Sequence, residues 1–332
     1  MTALSLDTDS ATAAGVRSAA ERLRGKAVRT PLLENDALNE VAGGRVFLKA
    51  EVLQHFGSFK FRGAYNLISQ LSAAERANGV LAWSSGNHAQ GIAYAAQLVG
   101  TRATIVMPAD VPAVKADNVR KLGAEIVSYD RYSEDREAIS RRIVEERGMI
   151  LAPSFDHPQI MEGQGTTALE VIEDTNARGV SLDAFLVCCG GGGLTSGCAL
   201  ALEEVSPQTQ VWIAEPEGFD ETWASIRHGE RLTADVTRPT ICDAIATPSP
   251  GRLTFPIMQR LVRGGVTLTE DDVRVAMMFA FQHLKLVVEP GGAVALAAVL
   301  SGKFDAKGKS VALTLSGGNV DAAFFASVLE RR

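Results

Sequence analysis

The sequence predicts an α/β protein built on open sheets whose strands run mostly parallel. Three observations carry this. Short β-branched runs recur along the chain, and most of them are apolar on both faces. Gly or Pro bounds most of them. Helical patterns lie between them, and that alternation belongs to strands covered on both faces by helices.

In chain order the strand runs are 46–48, 79–83, 103–107, 125–129, 149–152, 184–189, 210–214 and 310–315. Helix-like segments fall at 87–98, 164–173, 195–204 and 271–285. The four runs between 79 and 152, with their helices, form a self-contained stretch. This predicts two domains: a large one from 1–70 plus 154–332, and a small one from 71–153. Ligands in open parallel sheets sit beyond the carboxyl ends of the strands. The residues just after each run are therefore where chemistry is expected.

Composition narrows the partners. The 332 residues are 46% hydrophobic, ample for a large core. Lys and Arg number 33 against 39 Asp and Glu, a net charge of −6. Such a surface repels phosphate backbones, so nucleic acid is not an expected partner. No apolar run reaches the roughly 20 residues needed to cross a bilayer, and residues 1–20 lack the apolar core of a signal peptide. Cys188, Cys189, Cys198 and Cys242 contain no CxxC pair. They read as buried thiols in a reducing, cytoplasmic compartment.

Four segments could carry chemistry. In Cys188-Cys189-Gly190-Gly191-Gly192-Gly193-Leu194, an apolar strand enters four glycines and then a helix. Glycines let backbone N–H groups close on an anion, and a helix N-terminus adds partial positive charge. The spacing fits neither a phosphate-binding Walker loop nor GxGxxG. An NAD reading stays open on Glu215, which lies at the end of the next strand run.

In Gly57-Ser58-Phe59-Lys60-Phe61-Arg62-Gly63, a lysine stands between two phenylalanines at a helix start. Apolar surroundings lower an amine's pKa, and only the neutral amine attacks a carbonyl. A snorkelling surface lysine is the ordinary alternative. Ser84-Ser85-Gly86-Asn87-His88 follows a strand run, where Ser and Asn serve as helix N-caps or as donors to a ligand. Leu315-Ser316-Gly317-Gly318-Asn319 is either plain turn chemistry or a strand end whose serine meets a ligand. Two lesser patches are the turn at Glu289-Pro290-Gly291-Gly292 and the acids Glu215, Glu217, Asp220 and Glu221, which suit Mg²⁺ or a solvated turn.

The four segments, in this order, resemble the fold-type II pyridoxal 5'-phosphate enzymes, in the serine/threonine dehydratase and serine racemase branch. Phe155-Asp156-His157-Pro158, Gly163-Gln164-Gly165-Thr166 and Leu286-Val287-Val288-Glu289-Pro290 extend the likeness over nearly the whole chain. The resemblance implies a tryptophan synthase β-like fold, with two open-sheet domains and the cofactor in the cleft. It implies that Lys60 carries the cofactor covalently and then takes the Cα proton. Phe59 would pack on the cofactor ring, Gly190, Gly191, Gly192 and Gly193 would hold the phosphate, and Asn87 would meet the ring hydroxyl. Ser85, Gly86, Asn87 and His88 would surround the substrate carboxylate, and Ser316 would face the ring nitrogen.

The implied activity is a lyase reaction, dehydration and deamination of a small β-hydroxy amino acid. Its candidates are L-threonine, L-serine or a relative such as 3-hydroxyaspartate or phenylserine, giving a 2-oxo acid and ammonia. A serine at the ring nitrogen makes a weak electron sink, which favours loss of a β leaving group over transamination. Ser85 matches the second base of the racemases, so serine racemisation with side dehydratase activity is the alternative. The resemblance also implies a homo-oligomer, a dimer or a tetramer. Glu215, Phe219 (through its carbonyl) and Glu221 resemble the racemase metal site, with Glu221 in place of Asp. Phe56 and Glu162 depart from the usual Thr and Ala. Phe56 is expected to reshape the substrate end of the pocket. No regulatory domain follows residue 332, so a catabolic role is expected.

Overall fold

The computed structural model describes residues 10–330; the start of the 1–20 segment and the outer ends of the predicted large domain lie outside them. Among the described residues there are ten strands: β1 (Leu32–Glu34), β2 (Arg45–Ala50), β3 (Val80–Trp83), β4 (Ala103–Pro108), β5 (Glu125–Tyr129), β6 (Ile150–Leu151), β7 (Ala184–Cys188), β8 (Gln210–Pro216), β9 (Val262–Leu268) and β10 (Ser310–Leu315). They form two sheets, of order β1-β2-β10-β7-β8-β9 and β5-β4-β3-β6. Every pairing is parallel except β1 with β2.

The parallel strands are apolar on both faces because both faces are covered. Every residue of β4 and β7 is buried, as are all but the first of β2 and β10. The helix Pro290–Leu300 is buried nearly all round, which removes the amphipathic stripe that would have marked it. β9 escapes the sequence pattern because Gly264 and Gly265 interrupt it. Both are needed: a side chain at Gly264 would run into the Trp212 ring, and one at Gly265 into Trp223.

One apolar core surrounds the six-stranded sheet. A second joins the four-stranded sheet to the helix Lys60–Ile68, through Phe61, Ala64, Leu67 and Ile68 packed with Val80, Ile92 and Ile105. The helix predicted at 271–285 is shorter. It runs Glu270–Phe279, passes into a π-turn at Ala280–Leu284, and stops where Lys285 adopts φ 59°. All four cysteines are free and buried, and burial pushes the Cys242 thiol up to about 12. Among the described residues no helix is long and apolar enough to cross a membrane.

Candidate active site

The four glycine- and serine-bearing segments follow β3, β7 and β10 or pair with their exits. Ser58 bridges Gly317, the Phe59 N–H donates to the Ser316 carbonyl at 3.1 Å, and the Gly318 N–H donates to Gly57 O at 2.9 Å. The lysine loop is thereby stitched to the end of β10. Lys60 opens the helix Lys60–Ile68. Its Nζ donates to Ser154 O at 2.9 Å and lies 5.0 Å from the centre of the Phe59 ring.

The short loop after β6 gathers the motifs. His88 Nε2 meets Ala152 O at 2.8 Å, Lys60 meets Ser154, and Phe155 lies on the tetraglycine loop. A Cβ added to Gly191 would sit 2.5 Å from three Phe155 ring carbons. One added to Gly190 would sit 2.8 Å from Ile245 O, and one added to Gly193 2.8 Å from Phe155 Cβ. Gly192 has φ 92°, which L side chains rarely adopt, and caps the helix Gly193–Val205. No side chain fits anywhere along this cradle, which leaves its backbone and the helix N-terminus to face a small anion. That is the donor set a cofactor phosphate needs.

Electrostatics single out two groups. Burial lowers the Lys60 ammonium to about 8, against the opposing pull of Cys188 and Glu289. About a tenth of the amine is then neutral at pH 7, against a far smaller fraction for an ordinary lysine. Burial, then the nearby Lys60 charge, drives His88 down to about 3. His88 is thus a neutral imidazole whose Nε2–H donates to Ala152, a fixed polar group rather than a base at neutral pH.

The helix Lys60–Ile68 is anchored by a buried charge network. Arg62 grips Glu51 with Nε and Nη2, each at 2.8 Å, and Glu170 with Nη1 and Nη2 at 2.7 and 2.9 Å. Lys49 Nζ joins Glu170 Oε2 and Thr30 O, both at 2.6 Å. Burial opposes the Arg62 charge, and the two carboxylates overcome it.

Asn87 corrects a simple expectation. It does not cap its helix; Gly86 holds the cap position without a side-chain bond. Its Nδ2 donates to Glu289 Oε1 at 2.6 Å, and its Oδ1 accepts from Asn319 Nδ2 at 2.7 Å. Asn319 also donates to Phe56 O at 2.6 Å, tying three motifs together. Glu289 is the group that sequence reasoning undervalued. It is buried, and its carboxyl is raised to about 7 by burial, partly offset by the Asn87 bond. Its local turn was visible in the sequence, but its partner lies 202 residues away.

Ser85, Gly86 and Asn87 are half-buried at the β3 exit, while Phe59 and Ser316 are buried. Both departures have structural explanations. Phe56 takes φ 54° and sets its ring edge-on against Tyr94, 4.8 Å between centroids. Glu162 Oε1 accepts the Thr12 N–H at the start of the helix Ala13–Leu23.

Glu215 accepts the N–H groups of Thr222 and Trp223 at 3.1 and 2.8 Å, both in the first turn of the helix Glu221–His228. Both of its oxygens are engaged there, so the dinucleotide reading loses its ribose ligand. Burial, then Glu221, raises the Glu215 carboxyl well above the usual range. Burial raises Glu221 to about 7, and its buried Oε2 has no partner among the described residues. Phe219 is buried beside this turn. Among the described residues no cluster of three or more His, Cys, Asp or Glu side chains is arranged to hold a metal.

Comparison with known proteins agrees with this geometry. Residues 23–317 match the family model described as pyridoxal-phosphate dependent enzyme. The chain is similar to L-threo-3-hydroxyaspartate ammonia-lyase of Pseudomonas sp, 45% identical over 95% of this chain and 97% of that one. It is similar to L-threonine ammonia-lyase of Thermotoga maritima, 39% identical over 95% of this chain and 77% of that one. Its fold is similar to the crystal structure of serine racemase from Dictyostelium discoideum, with TM-score 0.88 and 36% identity, covering 94% of this chain and 99% of that one. The chain belongs to the pyridoxal-phosphate-dependent enzyme family, which removes the NAD alternative.

Proposed function

We propose that this pyridoxal-phosphate-dependent lyase eliminates water from a small β-hydroxy amino acid, and that hydrolysis of the released product takes up water again to give a 2-oxo acid and ammonia. One observation carries the reading. A lysine amine lowered to about 8 stands where the exits of β3, β6, β7 and β10 meet, close to a glycine cradle that admits no side chain. The bound cofactor supplies an electron sink for the pair left at Cα when its proton leaves.

The chain's own residues supply the rest. Lys60 would hold the cofactor and take the Cα proton. The N–H groups of Gly190–Gly193 would hold the phosphate, and Phe59 would pack on the ring. Ser85, Gly86, Asn87 and His88 would surround the substrate carboxylate, His88 through its backbone N–H in the first helical turn, while Asn87 would also meet the ring hydroxyl. Ser316 would face the ring nitrogen and, carrying no charge, would leave the cofactor a weak electron sink, which suits loss of a β-hydroxyl. Glu289, close to Lys60 and bonded to Asn87, keeps the asparagine oriented.

L-Threonine, L-serine, 3-hydroxyaspartate and phenylserine are the substrates to test, and the similarity to a hydroxyaspartate ammonia-lyase favours 3-hydroxyaspartate. The test is a screen for 2-oxo acid and ammonia release, run with and without EDTA. Release from at least one is expected; release from none overturns the reading.

Serine racemisation with side dehydratase activity is the second reading. It is favoured by Ser85, half-buried at the β3 exit, the position that matches the second base of the racemases. Ser85→Ala should abolish racemisation and spare elimination from one enantiomer, as chiral analysis of serine would show. Racemisation surviving in the variant would exclude Ser85 as the second base.

We also propose that Glu215, Glu221 and the Phe219 carbonyl take Mg²⁺, because the unpartnered Glu221 oxygen calls for a proton or a cation. The domain division proposed is 1–70 plus 154–332 against 71–153, although the core packing of the Lys60 helix lies with the smaller unit. A homo-oligomer is proposed on exposed Val275, Phe281 and Val287. Cytoplasmic placement suits the four free thiols.

A further inference from the structure

Gln164 has no part in the scheme above. Its side chain is 1% exposed, and neither Oε1 nor Nε2 has a hydrogen-bond partner among the described residues. Leaving a buried polar group unbonded costs about 1–3 kcal/mol, so such an amide needs a partner from elsewhere.

The packing shows where that partner would come from. The helix Pro158–Ala177 meets the helix Gly193–Val205 backbone to backbone at Gly165 and Gly197, where a side chain on either would collide with main chain. This close approach brings Gln164 to the first turn behind the tetraglycine loop. A Cβ on Gly193 would lie 2.7 Å from Gln164 Oε1. On the other side, a Cβ on Gly63 would lie 3.1 Å from Gln164 Cγ. The amide therefore stands between the helix that bears Lys60 and the loop that forms the cradle.

We propose that Gln164 is a cofactor-positioning residue: with its unpartnered amide turned so that Nε2 takes the place of Oε1 beside Gly193, it donates an N–H into the anion site of Gly190–Gly193, giving a phosphate monoester a side-chain donor besides the backbone. This rests on the reading of that loop as a phosphate cradle.

The test compares two probes on cofactor-stripped enzyme: pyridoxal phosphate, and pyridoxal, which reacts with the same lysine but has no phosphate. Gln164→Leu should weaken pyridoxal phosphate about tenfold to a hundredfold, as for loss of one hydrogen bond to a charged group. It should leave pyridoxal unchanged. Thermal stabilisation of the stripped enzyme by inorganic phosphate should fall in parallel. Gln164→Glu keeps the shape, serves should the leucine variant fail to fold, and should lose phosphate preference further through like-charge repulsion. Equal weakening of both probes would make Gln164 a packing residue and overturn the proposal. So would an unchanged preference in both variants. If the wild type itself binds both probes alike, the phosphate cradle fails and this proposal with it; a preference kept by the variants sinks only the role of Gln164.

Discussion

Replacing Glu221 with glutamine should change the pH dependence of stability in a way that its burial dictates. The carboxyl is raised from 4.5 to about 7. Between those values the folded protein keeps a proton that the unfolded chain has released. Unfolding therefore releases a proton, and stability falls as pH rises through this window. At about 1.4 kcal/mol for each tenfold change, the full loss is roughly 3 kcal/mol. About half develops by pH 6 and nearly all by pH 8. Glutamine cannot ionise, so Glu221→Gln escapes this loss. In EDTA, the urea midpoints of the two proteins should differ by a constant near pH 4. The variant should then gain roughly 3 kcal/mol on the wild type by pH 8. Mg²⁺ should close the gap at pH 8 by stabilising the wild type alone. Parallel stability curves across the range would refute the buried acid. A gap that Mg²⁺ leaves open would refute the cation site.

Two further outcomes follow from packing. Arg62→Met strands the buried carboxylate of Glu51, while half-buried Glu170 keeps Lys49, and should cost about 3–5 kcal/mol in denaturant unfolding; a loss below about 1 kcal/mol would show that the network does not anchor the Lys60 helix. Gly191→Ala places a methyl 2.5 Å from the Phe155 ring and should weaken pyridoxal phosphate binding about tenfold or more, as for one lost bond to a charged group. Unchanged affinity by titration would mean that the cradle tolerates a side chain.

The parallel strands were legible because burial on both faces writes itself into sequence as continuous apolar runs: β5 and β10 fall where their runs predicted. The strand exits were legible too, since only glycine fits at Gly190 and Gly191. β9 was not, because its glycines answer to Trp212 and Trp223 on other elements. Such a reason exists only in the folded chain. Asn87 looked like a helix cap because local rules favour it there; long-range bonds to Glu289 and Asn319 decide its use instead. The same distance in sequence hid Glu289. Phe56 looked like a change at the pocket, and Glu162 like a departure without an assigned effect. The fold turns one toward Tyr94 and the other toward the Thr12 N–H.

The most direct measurement is to load the purified protein with pyridoxal phosphate, reduce it with borohydride, and map the adduct by peptide mass spectrometry. A single phosphopyridoxyl group on Lys60 is the predicted result, absent from Lys60→Ala along with all 2-oxo acid release. An adduct on another lysine, or undiminished turnover without the Lys60 amine, would contradict the account.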